Sequence, residues 1–358
     1  MQAKQTEIEI LRDALEAFEK TTKLTAQLEH VEPTFGHVAP TLTAPRRADA
    51  VIRIVWQDME WHYAAEVRHT LTPGNLGAVV HQLRNFPEKG LIVTTYVTPP
   101  MADRLREMQI PFIDTAGNAY LDEPPLMIFI KGNKPAVPYP TERPARLFQP
   151  TGLQLAFALL CNRGLENTPF RDIAKVANVA LGTVGWVMRD LKQMGYLIDM
   201  GKRGRRLIRK RDLLTRWVTA YPDKLRPKLL IGRYRAPHYD WWKDARLDDF
   251  KAHWGGEVAA ALLTQHLRPQ SVTIYTNEPM SKFLLIHGLK KDPKGDIELL
   301  KTFWNPEHDP KYGDWWRHGD FVHPLLIYAD LLATGDQRNM ETAEMIYERE
   351  LPRFIRED

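Results

Sequence analysis

Thr168-Pro-Phe-Arg-Asp-Ile-Ala-Lys-Val-Ala, Asn178-Val-Ala-Leu-Gly, Thr183-Val-Gly-Trp-Val-Met-Arg-Asp-Leu-Lys-Gln-Met, Gly195 and Tyr196-Leu-Ile-Asp-Met-Gly-Lys-Arg-Gly-Arg-Arg-Leu-Ile follow one another without a break. The first run has the spacing of a short helix, the second contains turn formers, and the third repeats apolar residues at helical period until Gly195 stops it. The fourth reads as a hairpin with a Gly-flanked basic turn. Ile173, Val176, Val184, Val187, Met188, Leu191 and Leu197 fall on a core face, which leaves Thr183, Trp186, Arg189 and Lys192 outward. Two helices at this spacing with a following hairpin predict a winged helix-turn-helix, whose second helix enters the major groove of duplex DNA.

The expected base-reading set is thin. Arg189 alone can donate two hydrogen bonds to guanine, and Thr183 sits where a helix N-terminus meets phosphate. The expected phosphate grip is rich: Lys202, Arg203, Arg205 and Arg206 in the wing, then Arg209, Lys210 and Arg211. Contacts of this kind give affinity and salt dependence with modest sequence specificity.

Charge distribution supports the same partner. The formal net charge is only +4, yet residues 151–235 hold 18 Lys and Arg against 6 Asp and Glu, while residues 1–150 hold 16 against 18. A polyanion bound at the middle of the chain explains this concentration better than solubility does. With 358 residues, 44% hydrophobic and 26% charged, the composition is that of a multi-domain globular protein. The one cysteine, Cys161, stands in an apolar helical run and is expected to be a buried, inert thiol. Met1 to Glu19 is acidic and amphipathic rather than a signal peptide, and no window is apolar enough to span a membrane, so a cytoplasmic location is expected.

Outward from the centre, Ile8, Leu11, Leu15, Phe18, Thr25 and Leu28 predict one long opening helix. Residues 49–56 and 61–68 flank Gln57-Asp-Met as a hairpin, followed by a helix at 76–85, a buried strand at 90–97, a helix opened by Pro99-Pro100 and a strand at 110–114. The expected fold class is α/β multi-domain. The domains are an α/β domain at 1–134, a Pro-rich linker at 135–150, the winged helix at 151–217 and a C-terminal α/β regulatory domain at 218–358.

The first domain carries a second constellation. Asp49 opens one strand and Glu66-Val-Arg68 closes the next, and alternation places residues 66 and 68 on one side. Two carboxylates and a cation at one sheet edge suit Mg²⁺-dependent phosphodiester hydrolysis. Their order resembles the restriction-endonuclease-like fold over residues 5–131, whose motif is Asp followed by (Asp or Glu)-x-Lys. Here Arg68 replaces the Lys, and a guanidinium neither deprotonates nor acts as a compact charge, which argues against activity. Asp114-Thr-Ala-Gly117-Asn118 reads as a turn with Gly and Asn left-handed.

Several further stretches resemble AbiEi-type antitoxins and transcriptional regulators of type IV toxin-antitoxin systems. They are Ile110-Pro-Phe-Ile-Asp-Thr-Ala-Gly-Asn-Ala-Tyr-Leu, the winged helix, Trp254-Gly-Gly-Glu-Val-Ala-Ala-Ala-Leu-Leu, Leu267-Arg-Pro and Val322-His-Pro-Leu-Leu-Ile-Tyr-Ala-Asp-Leu-Leu-Ala-Thr-Gly-Asp. The resemblance implies an operator-binding regulator, often carried by plasmids or other mobile elements, with a C-terminal antitoxin domain. Gly255-Gly-Glu could suggest a nucleotidyltransferase-like fold, but Thr273-Ile-Tyr stands where paired Asp residues would follow. His253, His266, His287, His308, His318 and His323 lack metal-ligand spacing, and Trp241, Trp242, Trp254, Trp304, Trp315 and Trp316 read as packing or a dimer interface.

The expected protein is therefore a homodimeric, duplex-DNA-binding regulator or antitoxin without a cofactor. Two alternatives remain open. One is a nuclease holding Mg²⁺ on Asp49 and Glu66; the other is a toxin-binding protein acting through its C-terminal domain.

Overall fold

The computed structural model describes residues 2–31, 48–84, 86, 88–135, 146–305 and 321–356. It is mixed α/β, and the chain divides into two compact units, residues 1–143 and 144–358.

In the first unit, helix α1 (Gln2–Thr22) precedes strands β1 (Thr25–Val31), β2 (Ala50–Trp56) and β3 (Met59–Arg68). The predicted opening helix thus ends earlier than its apolar period suggested. Lys23 takes φ +64, which closes the helix, and Thr25 and Leu28 belong to a strand. Helix α2 (Pro73–Arg84) crosses to β4 (Lys89–Thr94), α3 (Pro99–Glu107) to β5 (Phe112–Asp114), and β6 (Ala119–Glu123) and β7 (Leu126–Ile130) complete the sheet. The seven strands lie in sequence order, antiparallel from β1 to β3, parallel from β3 to β5 and antiparallel from β5 to β7. Ile10, Leu11, Ala14, Leu15 and Phe18 of α1 pack on Ile52, Ile54, Tyr63, Ala65, Val67, Leu91, Val93 and Ile113. The odd-numbered side chains of β3 therefore face α1, and Glu66 and Arg68 face the opposite side, where α2 lies.

In the second unit, α4 (Pro150–Cys161), α5 (Phe170–Val176) and α6 (Leu181–Gln193) lead into the hairpin β8 (Leu197–Asp199) and β9 (Arg205–Leu207). Helix α7 (Lys210–Lys224) and the short α8 (Arg226–Leu229) then enter β10 (Leu230–Arg235), β11 (Ala252–Gly255), α9 (Gly256–Thr264) and β12 (Val272–Thr276). Helix α10 (Ser281–Ile286), β13 (Lys290–Lys291), β14 (Ile297–Lys301), α11 (Pro324–Thr334), α12 (Gln337–Arg349) and α13 (Pro352–Ile355) follow. The sheet order is β11-β12-β14-β10-β13, with β12 and β14 parallel and the other neighbours antiparallel. Helices α9, α11 and α12 pack on one another, and α7 touches both α4 and α11. Phe157 of α4 meets Trp217 of α7 at 5.5 Å and Phe303 at 5.0 Å between ring centroids, so one core runs through the unit.

Among the described residues no helix is long and apolar enough to cross a membrane. Cys161 is buried, as expected of an apolar helix.

Candidate nucleic-acid interface

Helices α5 and α6 meet at a turn in which Asn178 adopts φ +52, a conformation asparagine tolerates better than most residues. Its N–H and that of Val179 close α5 by donating to Lys175 O and Ala174 O, at 3.2 and 2.9 Å. The expected core face is buried: Ile173, Val184, Val187, Met188, Leu191 and Leu197 are at most 5% exposed, and Val176 is half-buried. Outward stand Trp186, Arg189 and Lys192, all exposed, while Thr183 is half-buried.

Two guanidinium groups lie over the indole of Trp186, Arg189 at 4.9 Å and Arg146 at 4.3 Å from the ring centroid. Sequence reasoning missed Arg146, because it belongs to the Pro-rich stretch read as a linker. It sits in a 3-10 turn (Arg146–Phe148), which Asp190 of α6 holds by accepting the Leu147 N–H at 3.1 Å.

The hairpin separates its cations into two sets. Lys202 and Arg203 are exposed in a 3-10 turn at its tip, and no ion pair among the described residues engages them. Arg206 is half-buried on β9. Arg205, by contrast, anchors the hairpin: its guanidinium donates to Thr168 O at 3.0 Å and covers the Phe170 ring at 5.0 Å. Asn167 adds a two-point clasp, accepting from Arg205 N at 2.6 Å and donating to Arg205 O at 2.8 Å. Arg209 takes φ +52 before α7, pairs with Asp212 at 2.9 Å and lies over Tyr196. Lys210 reaches Arg356 O at 3.3 Å, and Arg211 is half-buried in the first turn of α7. The seven basic residues expected to act alike therefore differ: the tip pair is open, whereas Arg205, Arg209 and Lys210 have internal partners.

In the first unit, Asp49, Glu66 and Arg68 come together. Asp49 accepts the Val67 N–H at 2.8 Å, and its own N–H donates to Ala65 O at 2.9 Å, which fixes it beside the end of β3. The Arg68 guanidinium pairs with Glu66, approaches Asp49 at 3.6 Å and donates to Gln82 of α2 at 2.6 Å. Glu66 is 3% exposed, so the charge held by Arg68 is buried. Among the described residues no group of acids, histidines or cysteines is arranged to hold a metal ion. Nearby, Asp114 is fully buried and accepts N–H bonds from Val97, Ala116 and Asn118 together with the Asn118 amide. Burial raises its carboxyl above the usual range, opposed by these donors. Gly117 takes φ +80 as expected of the turn, but Asn118 does not; its side chain instead braces Asp114 and Asn133.

In the C-terminal half, Asp330 accepts from Tyr221 and Tyr275 hydroxyls at 3.0 Å and from Arg226 at 3.2 Å, and Arg226 also binds Glu298 at 2.7 Å. Glu257, in the Gly255-Gly-Glu stretch, accepts from Gln270 N, Ser271, Arg338 and Asn339. The first cluster ties α7, α8 and α11 to the sheet, and the second ties α9 to α12 and to the segment before β12. Trp241, Trp254 and Trp304 are buried, whereas Trp315, Trp316, His308 and His318 lie outside the described residues.

No curated protein and no solved structure matches the chain. A family model described as "Transcriptional regulator, AbiEi antitoxin, Type IV TA system" matches residues 206–352, from the second strand of the hairpin to the start of α13. That span contains the Trp254, Leu267 and Val322 motifs but not α5 or α6, and over it the chain is similar to the AbiEi antitoxin and transcriptional-regulator family.

Proposed function

We propose that the chain is a duplex-DNA-binding transcriptional regulator of the antitoxin type, with α4–α7 and the β8/β9 hairpin acting as a winged helix. The observation that carries this is the pair Lys202 and Arg203, exposed at the tip of a hairpin pinned beside α5 by Asn167 and Arg205. A basic tip on a hairpin held beside a helix with Arg189 and Lys192 exposed suits a phosphate backbone and the groove beside it. The family match supports the regulatory role. A homodimer would present two such surfaces to two half-sites, and a cognate toxin is the partner the family implies.

The order α1-β1-β2-β3-α2-β4, with β3 and β4 parallel, supports a restriction-endonuclease-like reading of the first unit. Its carboxylates are occupied by Arg68, which favours a DNA- or protein-binding role over hydrolysis and makes a cofactor unnecessary.

Fluorescence anisotropy with a random 30-base-pair duplex across a salt series tests the proposal. Affinity should fall linearly on logarithmic axes, and Lys202→Glu with Arg203→Glu should lower the slope by about two. Binding that is absent at low salt, or indifferent to salt, would overturn it.

A further inference from the structure

On the outward face of α6 two large apolar side chains stand open to solvent, Leu181 at 56% exposure and Trp186 at 47%. Between them on the same face are Gly182 and Gly185, where an added Cβ would meet nothing within 4 Å. A partner that covers this face would take both side chains out of water. The surround is cationic: Arg146 and Arg189 lie over the indole, and Lys192 is exposed one turn on. A second copy of this face would bring these cations together, and charge complementarity therefore selects a polyanion.

We infer that Leu181 and Trp186 read the C5 methyl groups of thymine in the major groove, so that the target sites are rich in A·T pairs. This rests on the DNA-binding role proposed above and gives it a sequence preference. The thymine methyl is the apolar group that base edges display in the major groove, and the other edge groups are hydrogen-bond donors and acceptors that leucine cannot use. The two guanidinium groups hold the indole in place before binding, which lowers the ordering cost of the contact, and they face the phosphates at the same time. The bare backbone at Gly182 and Gly185 lets the helix approach the base edges closely.

The test compares two alternating duplexes of equal length, one of dA and dT and one of dA and dU, which differ only by the methyl group. The full-length protein should bind the thymine duplex about fourfold more tightly for each methyl covered. Leu181→Ala with Trp186→Ala should bring the two affinities within twofold while binding still weakens as salt rises; both side chains are exposed, and circular dichroism verifies the fold. Equal affinity of the unaltered protein for both duplexes, with normal salt dependence, overturns methyl reading and leaves DNA binding standing. Salt-independent or absent binding to both overturns both. Loss of a dimer in the double variant by sedimentation, with an unchanged thymine preference, assigns the face to self-association and overturns the inference.

Discussion

Arg68 decides what the carboxylates of the first unit can do. Glu66 is almost fully buried, and the guanidinium that neutralises it also reaches Asp49 and Gln82, so a planar fork spans a position that a compact ion would need. Arg68→Ala would leave Glu66 charged, buried and unpaired, at a cost of about 3 kcal/mol. Hydrogen exchange followed by mass spectrometry on the full chain should show faster exchange along β3, and unchanged exchange there would contradict the pairing. The same geometry predicts that supercoiled plasmid stays intact with the protein and Mg²⁺ or Mn²⁺; nicking lost in Asp49→Ala would show an open site. Residues 66 and 68 could be placed together from strand alternation alone. Gln82 could not, because it arrives on α2 and nothing in the local sequence reports which helix turn faces a strand end. For the same reason Arg146 was hidden: its partner Trp186 is 40 residues away, and proline-rich surroundings suggested a linker.

Helices and strands with a clear period were legible, and their ends were set by backbone conformations that the period does not encode. Lys23, Gln57, Asn178 and Arg209 all take positive φ at such ends. The hairpin shows how an element is held. Asn167 binds both backbone groups of Arg205, and Gly204 at φ +83 has no room for a Cβ, which would lie 2.4 Å from Asn167 Oδ1. Asn167→Ala should release the hairpin from the start of α5 and weaken duplex binding several-fold, with far-ultraviolet circular dichroism unchanged; anisotropy measures the loss. At α11 the controlling group is titratable. Burial pushes the His323 imidazole down to about 3, with Arg353 adding to the effect, and its Nδ1 accepts the Leu325 N–H as the helix cap. An unfolded histidine titrates near 6.5, so below that pH the unfolded chain takes up a proton that the folded chain refuses. This contribution to stability is complete above about pH 6.5 and falls as pH drops toward 3, by about 2 kcal/mol at pH 5. Urea denaturation followed by helical ellipticity at pH 7 and pH 5 should show a loss that shrinks by about this amount in His323→Asn, which retains a capping oxygen. An equal loss in both proteins would assign the acid sensitivity elsewhere.

At the scale of the second unit, helices α4 to α6 and the family-matched half share one core. Helix α7 carries the connection: Trp217 is fully buried, donates to Leu153 O of α4 at 2.8 Å and stacks on Tyr221 at 4.9 Å. The Tyr221 hydroxyl meets the Tyr275 hydroxyl at 2.6 Å and Asp330 at 3.0 Å, so α7 is bonded to a central strand and to α11. A protein with independent DNA-binding and regulatory modules would not bury polar groups across such a junction, because each module alone would leave them unsatisfied. Neither half should therefore be stable by itself. A chain ending at Lys224 would lack Phe303, Trp304 and His323 around Phe157, and would present that ring and Trp217 to water. It should show weak, non-cooperative thermal unfolding and bind a hydrophobic dye, and duplex affinity should drop with it. In the full-length protein, Phe303→Ala should cost about 3 kcal/mol through the cavity it leaves and accelerate exchange in α4, although residue 303 is far from α4 in sequence. If the truncated chain instead unfolds cooperatively near the full-length temperature and keeps its affinity, the shared core is not required by helices α4 to α6. If it behaves as expected, anything that binds the C-terminal half acts on α7 through the same contacts that hold α4 in place.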